Sequence, residues 1–267
     1  MSVTYLNAPL VEIIAEVRWG PASDAVRDGG GSGSILVTLP QTKDEELLMH
    51  FGAEISKRAF GRIERLSPPG MPMPVGQSVC RFRPTDVTKQ SPLFQLGRGV
   101  FTSNALPPDY KSWAEFAPIV RTGLDALFES HTRASEAAPN ISMVLVRYVD
   151  AFGPSLTDGM QPAAFIRNVL GIDIKLPRSI SSLSTADEVR PSLQFSVPTK
   201  LGQLQVALGS TVRNNQEAVI LDTTMIIQRD IGANAEAALA ALTEARGAIH
   251  DLFRELTAPI HAAMGPA

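Results

Sequence analysis

The residues best equipped for chemistry in this 267-residue chain are four histidines, one cysteine and a few charges set among apolar runs. His250 and His261 lie eleven residues apart, nearly the same helical azimuth but about 16 Å of rise at about 1.5 Å per residue. They cannot share a metal unless Pro259 folds the chain back. His250 precedes Asp251, yet adjacent helix positions point roughly 100° apart, so the two make no dyad by themselves. Polar residues on a solvated or interface face account for them. His50 and His131 complete the set. Asp44, Glu45 and Glu46 form a carboxylate cluster in the first turn of an expected helix, where the dipole favours negative charge, and that placement explains them. Cys80 excludes an internal disulfide and a multi-cysteine metal site. It alternates within Ser78–Phe82 and reads as a small buried hydrophobe.

Familiar catalytic signatures are absent: no Gly-x-Ser-x-Gly elbow, no His-Glu-x-x-His, no Cys-x-x-Cys, no calcium loop. The glycine run Asp28–Ser34 looks like a phosphate cradle only on the surface. No Lys-Ser/Thr opens a helix after it, and it leads into another strand candidate, Ile35–Leu39. The sequence therefore predicts no catalytic residue, no metal site and no cofactor.

Arg147 is the most informative charge. It falls in phase with Ile141, Met143, Leu145 and Val149 on a strand that is apolar on both faces. A buried guanidinium cannot lose its proton and needs an acid partner. Glu12 and Glu16, on the polar face of the first strand, are the natural partners for a structural ion pair. The other reading gives Arg147 a ligand carboxylate or phosphate, with Tyr148 as a second polar anchor.

These residues need elements to hold them. Val11–Trp19 alternates strictly, with Val11, Ile13, Ala15, Val17 and Trp19 on one face, and reads as a half-buried strand. Thr42 and Glu45 form a capping box opening a helix to about Phe60. Strands follow at about Arg62–Leu66, Ser78–Arg83 and Leu93–Asn104, separated first by the proline-rich loop Pro68–Pro74. Ser112 and Glu115 open a second helix, whose apolar stripe is Trp113, Phe116, Val120, Leu124 and Leu127. Thr132–Pro139 is a polar, alanine-rich connector.

Beyond it, Ile141–Val149 reads as a central strand and Gln161-Pro162 starts a short helix ended by Gly171. Ser192–Val197, Gly202–Val212 and Glu217–Arg229 read as a meander. A final helix spans about Asn234–Thr257, and Leu239, Leu242, Ile249, Phe253, Leu256 and Ile260 line one stripe. That stripe either lies on the protein's own sheet or forms a seam between protomers. Pro259 should kink or end the helix.

Composition narrows the class. Hydrophobic residues make up 44% and charged residues 19%, the balance of a globular chain. No run approaches the roughly 20 apolar residues of a membrane span. The opening MSVTYLNAPLVEIIAEVRWG lacks a basic n-region and does not read as a signal peptide. One cysteine fits a reducing cytoplasm. With 24 basic against 27 acidic residues, the net charge of −3 disfavours nucleic acid as a partner. The best local patch, Lys57, Arg58, Arg62 and Arg65, reads as a solvated helix end.

Three short segments carry a resemblance. They are Asn7-Ala8-Pro9-Leu10-Val11-Glu12-Ile13 with Glu16-Val17-Arg18; Trp113-x-x-Phe116 before Val146-Arg147-Tyr148-Val149-Asp150; and His250-x-x-Phe253-x-x-x-Thr257. Together they resemble a sporadically distributed bacterial family of about this length. The resemblance implies a bacterial intracellular protein of mobile-gene-like distribution, related to defence or toxin–antitoxin systems, and it transfers no catalytic residue.

The expected fold is α+β. Two pseudo-repeats of β-α-βββ-α order, residues 1–131 and 140–267, each lay an antiparallel sheet on long helices, similar in element order to helix-grip and TATA-binding-protein-like architectures. The leading functional expectation is a non-enzymatic interaction protein with a protein partner or a second copy of itself. The alternative is a small-ligand pocket, with or without catalysis, between sheet and final helix. Arg147, Tyr148, Asp150, His250 and Phe253 are the candidate ligand or interface residues.

Overall fold

Alternation in the first strand is what the structure follows: in β1, Leu10–Trp19, the side chains of Ile13, Ala15 and Val17 are buried, and the intervening positions are partly exposed. The structure is a computed structural model and describes residues 5–20, 42–68, 71, 73–134, 136–175, 177–183, 190–213 and 215–265. The glycine run and the strand expected at 35–39 lie outside the described residues.

The chain forms two compact units, each drawing on both sides of the connector. The first comprises Ile14–Val146 and Ile226–Ala245. It holds most of β1, helix α1 (Thr42–Ser56), strands β2 (Arg62–Arg65), β3 (Ser78–Arg83), β4 (Leu93–Gly97) and β5 (Val100–Ala105), and helix α2 (Trp113–Arg133). It also takes the start of β6 (Ile141–Phe152), the end of β9 (Gln216–Gly232) and the start of α6 (Ala235–Leu256). The strands lie in the order β2-β3-β4-β5-β1-β6-β9. The β2/β3, β3/β4 and β4/β5 pairs are antiparallel, with Ile63 opposite Phe82 and Phe82 opposite Phe94.

Rings fill the space between this sheet and its helices: Phe51 meets Phe82 edge-on at 4.8 Å, and Phe94 stacks on Phe101 at 5.7 Å. Helix α2 approaches them through Gly123, where a Cβ would lie 2.6 Å from both Phe94 and Phe101. Only a residue without a side chain fits there without displacing a ring.

The second unit comprises Met1–Ile13, Arg147–Met225 and Arg246–Ala267. Its strands run β1-β6-β9-β8-β7, adding β7 (Ser192–Pro198) and β8 (Gln203–Arg213), which pair antiparallel. Short helices α3 (Pro154–Thr157), α4 (Pro162–Asn168) and α5 (Arg178–Ser181) precede them, and α7 (His261–Met264) follows the end of α6. Phe152, Phe165, Ile166, Leu208, Leu221 and Met264 form the core, on which Leu252, Phe253 and Leu256 of α6 pack.

The chain is thus α+β with antiparallel pairing, and several boundaries differ from expectation for local reasons. The strand expected at Leu93–Asn104 is a hairpin, β4–β5, because Gly99 turns the chain with φ +73°. Helix α1 stops at Ser56, not Phe60; Ala59 has φ +67°, a left-handed conformation that ends the turn. The Glu45 carboxylate binds the Arg65 guanidinium, and the Thr42 side chain of the expected capping box lies outside the described residues. Ser112 does cap α2, accepting the Glu115 N–H at 3.3 Å. Asn234 caps α6 through the Ala237 N–H, and Pro259 lies in a 3-10 turn beyond its end. The stripe of α6 is partly covered: Leu242 and Ile249 are about as inaccessible as the strand cores, and Leu239, Phe253 and Leu256 are half-buried. Among the described residues no helix is long and apolar enough to cross a membrane.

Candidate functional site: a pocket around His131

The apolar stripe of α2 runs Phe116, Val120, Leu124, Leu127, and one more step of four reaches His131. The helix therefore carries an imidazole into the interior: His131 is 4% exposed. Burial pushes its pKa down to about 4, with the Ala137 backbone opposing, so the ring is neutral at pH 7. Its place at a helix C-terminus favours the cation by up to about 2 kcal/mol. Desolvation outweighs that. Neither ring nitrogen makes a well-formed hydrogen bond with a described residue, and the Ala137 backbone lies only near enough to favour the cation weakly. The Glu136 carboxylate is 3.3 Å from Nδ1 but outside the hydrogen-bonding direction. With the ring neutral, the contact is not an ion pair.

His131 lines an open pocket of about 660 Å³. The polar walls are Lys43, Glu136, Asn140 and Ser142, and Trp19 with Ala137, Ala138 and Pro139 supplies the apolar surface. All belong to the first unit. Each comes from the end of an element or the connector: Trp19 closes β1, Lys43 opens α1, His131 closes α2 and Ser142 opens β6. Trp19 is fixed twice. Its N–H donates to the Gly99 carbonyl at 3.2 Å, and its indole stands edge-on to His131 at 5.7 Å. Gly99 permits that approach, because a Cβ there would lie 2.8 Å from the Trp19 oxygen.

The carboxylates around the pocket are poorly compensated. Burial raises the Glu136 pKa, and Asp44 and Glu46 add to the rise against the pull of Lys43. Asp44 is raised as well, chiefly by burial, although Arg98 stands 3.9 Å away. Of these three carboxylates Asp44 faces Arg98, and the one ammonium at the pocket wall is Lys43. Chemically the site offers a neutral imidazole with one donor and one acceptor, a carboxylate, an amide and an aromatic surface. A histidine held near pKa 4 is a weak base at pH 7, and general acid–base catalysis works best with a pKa near the operating pH. The site suits recognition better than proton transfer. Among the described residues no cluster of three or more metal-ligating side chains exists.

The candidate ligand or interface residues from the sequence, Arg147, Tyr148, Asp150, His250 and Phe253, lie in the second unit, and none lines this pocket or a smaller one of about 440 Å³ bordered by Asn7, Ser155, Arg213 and Glu217. Arg147 donates from Nε to Asp222 at 2.8 Å and binds its other oxygen through Nη2. It is not buried: 43% of its side chain is accessible, because the buried face of β6 is the opposite one, carrying Val144 and Val146. One carboxylate partner is Asp222 on β9, and Glu16 binds Arg18 within β1. Asp150 is on the buried side, 3% exposed, its pKa pushed up to about 7 by burial and by nearby Asp222. Tyr148 is partly buried on the same strand. Phe253 packs on the core, and His250 is half-buried on α6, with burial and Arg246 holding its pKa down.

The basic patch is engaged locally. Lys57, Arg58 and Arg133 surround Glu54, Arg58 also reaches Glu129, and Arg65 binds Glu45. Cys80 is buried, and its thiol pKa is raised by that burial.

No family model and no curated protein matches the chain. A solved structure to which it is similar is the crystal structure of the di-domain ARO/CYC BexL from the BE-7585A biosynthetic pathway, at 11% identity. The match covers 83% of this chain and 96% of that one with a TM-score of 0.19, too low a value to carry any argument about fold or function.

Proposed function

We propose that this protein is a non-enzymatic binding protein that holds a small polar ligand in the His131 pocket. One observation supports the reading above others: a histidine 4% exposed, with both ring nitrogens lacking a well-formed hydrogen bond among the described residues, at the wall of a pocket. An unmade hydrogen bond at a buried polar group costs roughly 1–3 kcal/mol. A ligand that meets both nitrogens recovers that cost on binding. The pocket volume of about 660 Å³ is within the range of small-molecule sites. Its mixture of a few polar groups with an aromatic wall is the composition such sites use.

The alternative of a protein partner rests on the apolar stripe of the last helix, of which Leu242, Ile249 and Ile260 are buried within the protein's own units while Leu239, Phe253 and Leu256 are half-buried. A thermal-shift screen of amines, nucleotides, sugars and acyl compounds, followed by calorimetry, tests the proposal. At least one compound should bind wild type and fail to bind Ala138→Trp, which fills the pocket without altering a polar group. A screen with no hit, or hits untouched by Ala138→Trp, contradicts it.

A further inference from the structure

The charge distribution around the His131 pocket goes further than the presence of a site. Resting on that proposed pocket, we infer that its ligand is a small organic cation, an amine or guanidinium compound, whose charged end sits between Glu136, His131 and Trp19. Three features of the geometry converge. Glu136 stands at the wall, 3.3 Å from the imidazole, without a hydrogen bond to it. Its surroundings are acidic: Asp44 and Glu46, on the first turn of α1, act on it in the same sense, and Lys43 is exposed.

A cationic N–H donor placed there gives Glu136 a charge-assisted hydrogen bond, roughly twice as strong as a neutral one. The second feature is His131. Its neutral ring keeps one lone pair and so accepts an N–H at the atom that faces no described donor. The third is Trp19, an indole surface within the same pocket, which favours a cation over an anion through its ring quadrupole. An anionic ligand has only Lys43 at the wall and meets three carboxylates nearby.

Calorimetry on the full chain with four probes of similar body tests this: agmatine, n-butylamine, n-butyrate and n-butanol. Agmatine and n-butylamine should bind, with agmatine tighter because its guanidinium can engage two acceptors, and butyrate and butanol should not. Glu136→Gln should weaken the amines by about tenfold or more while preserving the melting temperature, since the amide keeps the shape and loses the charge. Butyrate binding as tightly as butylamine, no binding by either amine, or amine affinity unchanged in Glu136→Gln would overturn the inference. If another class of compound from the wider screen binds and is blocked by Ala138→Trp, the pocket stands and the cation assignment falls. If nothing of any charge binds, both fall.

Discussion

Replacing Asp150 by asparagine should stabilise the protein by an amount that grows with pH. Asp150 lies in β6, 3% exposed and fully desolvated, with the Asp222 carboxylate near enough to repel its charge. Its native pKa is about 7, against a reference value of 3.8. Between those values the native state holds a proton that the unfolded chain has released. The native state therefore binds one more proton, and stability falls as pH rises through that window. Each pH unit is worth about 1.4 kcal/mol, so the whole displacement amounts to roughly 4 kcal/mol above pH 7. An amide side chain takes up no proton in either state and escapes the penalty. The unfolding free energy of Asp150→Asn minus that of wild type should widen by roughly 3 kcal/mol between pH 5 and pH 8 and then level off. Urea denaturation followed by circular dichroism at half-unit intervals measures that difference directly. A gap that does not change with pH would mean that Asp150 is already ionised in the folded protein, and the description of its surroundings would be wrong.

His131 should show the opposite dependence. Its native pKa of about 4 lies below the reference value of 6.5, so the wild type loses stability as pH falls through that window. That displacement is worth roughly 3 kcal/mol, and His131→Phe should remove the loss in the same denaturation assay. Gly123→Ala should destabilise by about 1–3 kcal/mol through overpacking against Phe94 and Phe101. Alanine is normally better than glycine within a helix by about 1 kcal/mol, so a gain in melting temperature would refute the packing at that point. Arg147→Ala should cost no more than about 1 kcal/mol, because the pair with Asp222 is substantially solvated. A loss of about 3–5 kcal/mol would mean a buried pair in solution.

Much of the framework is legible in the sequence because single elements announce themselves. The alternation of β1, the Ser112 cap of α2 and the periodic stripe of α6 are local signals, and the structure follows them. The hairpin is marked in the sequence by Gly97-Arg98-Gly99, turn chemistry between two apolar stretches that a single strand over Leu93–Asn104 passes over. Arg147 reads as buried because Ile141–Val149 is apolar on both faces, so the sequence does not say which face the protein covers. Its partner Asp222 comes from a strand distant in sequence, and pairing between distant strands leaves no trace in local periodicity.

The His131 pocket escapes the sequence for a similar reason. Trp19, Lys43, Glu136 and Ser142 are scattered at the ends of elements and converge only through the fold. One signal is present: His131 continues the four-residue steps of the α2 stripe beyond Leu127. A polar residue on a buried stripe invites the question of what it meets. The order expected twice differs from the one among the described residues, where four strands lie between α1 and α2 and three short helices between β6 and β7.

The most direct test of the binding proposal follows the four histidine ring signals by NMR during titration with the tightest compound from the screen. Among the described residues His131 alone has a buried, unpartnered ring in the pocket; His50, His250 and His261 do not line it. The account predicts a saturable shift of the His131 Cε1–H resonance with the affinity found by calorimetry, while the other three stay in place. A ligand that binds and leaves the His131 resonance unmoved would contradict it.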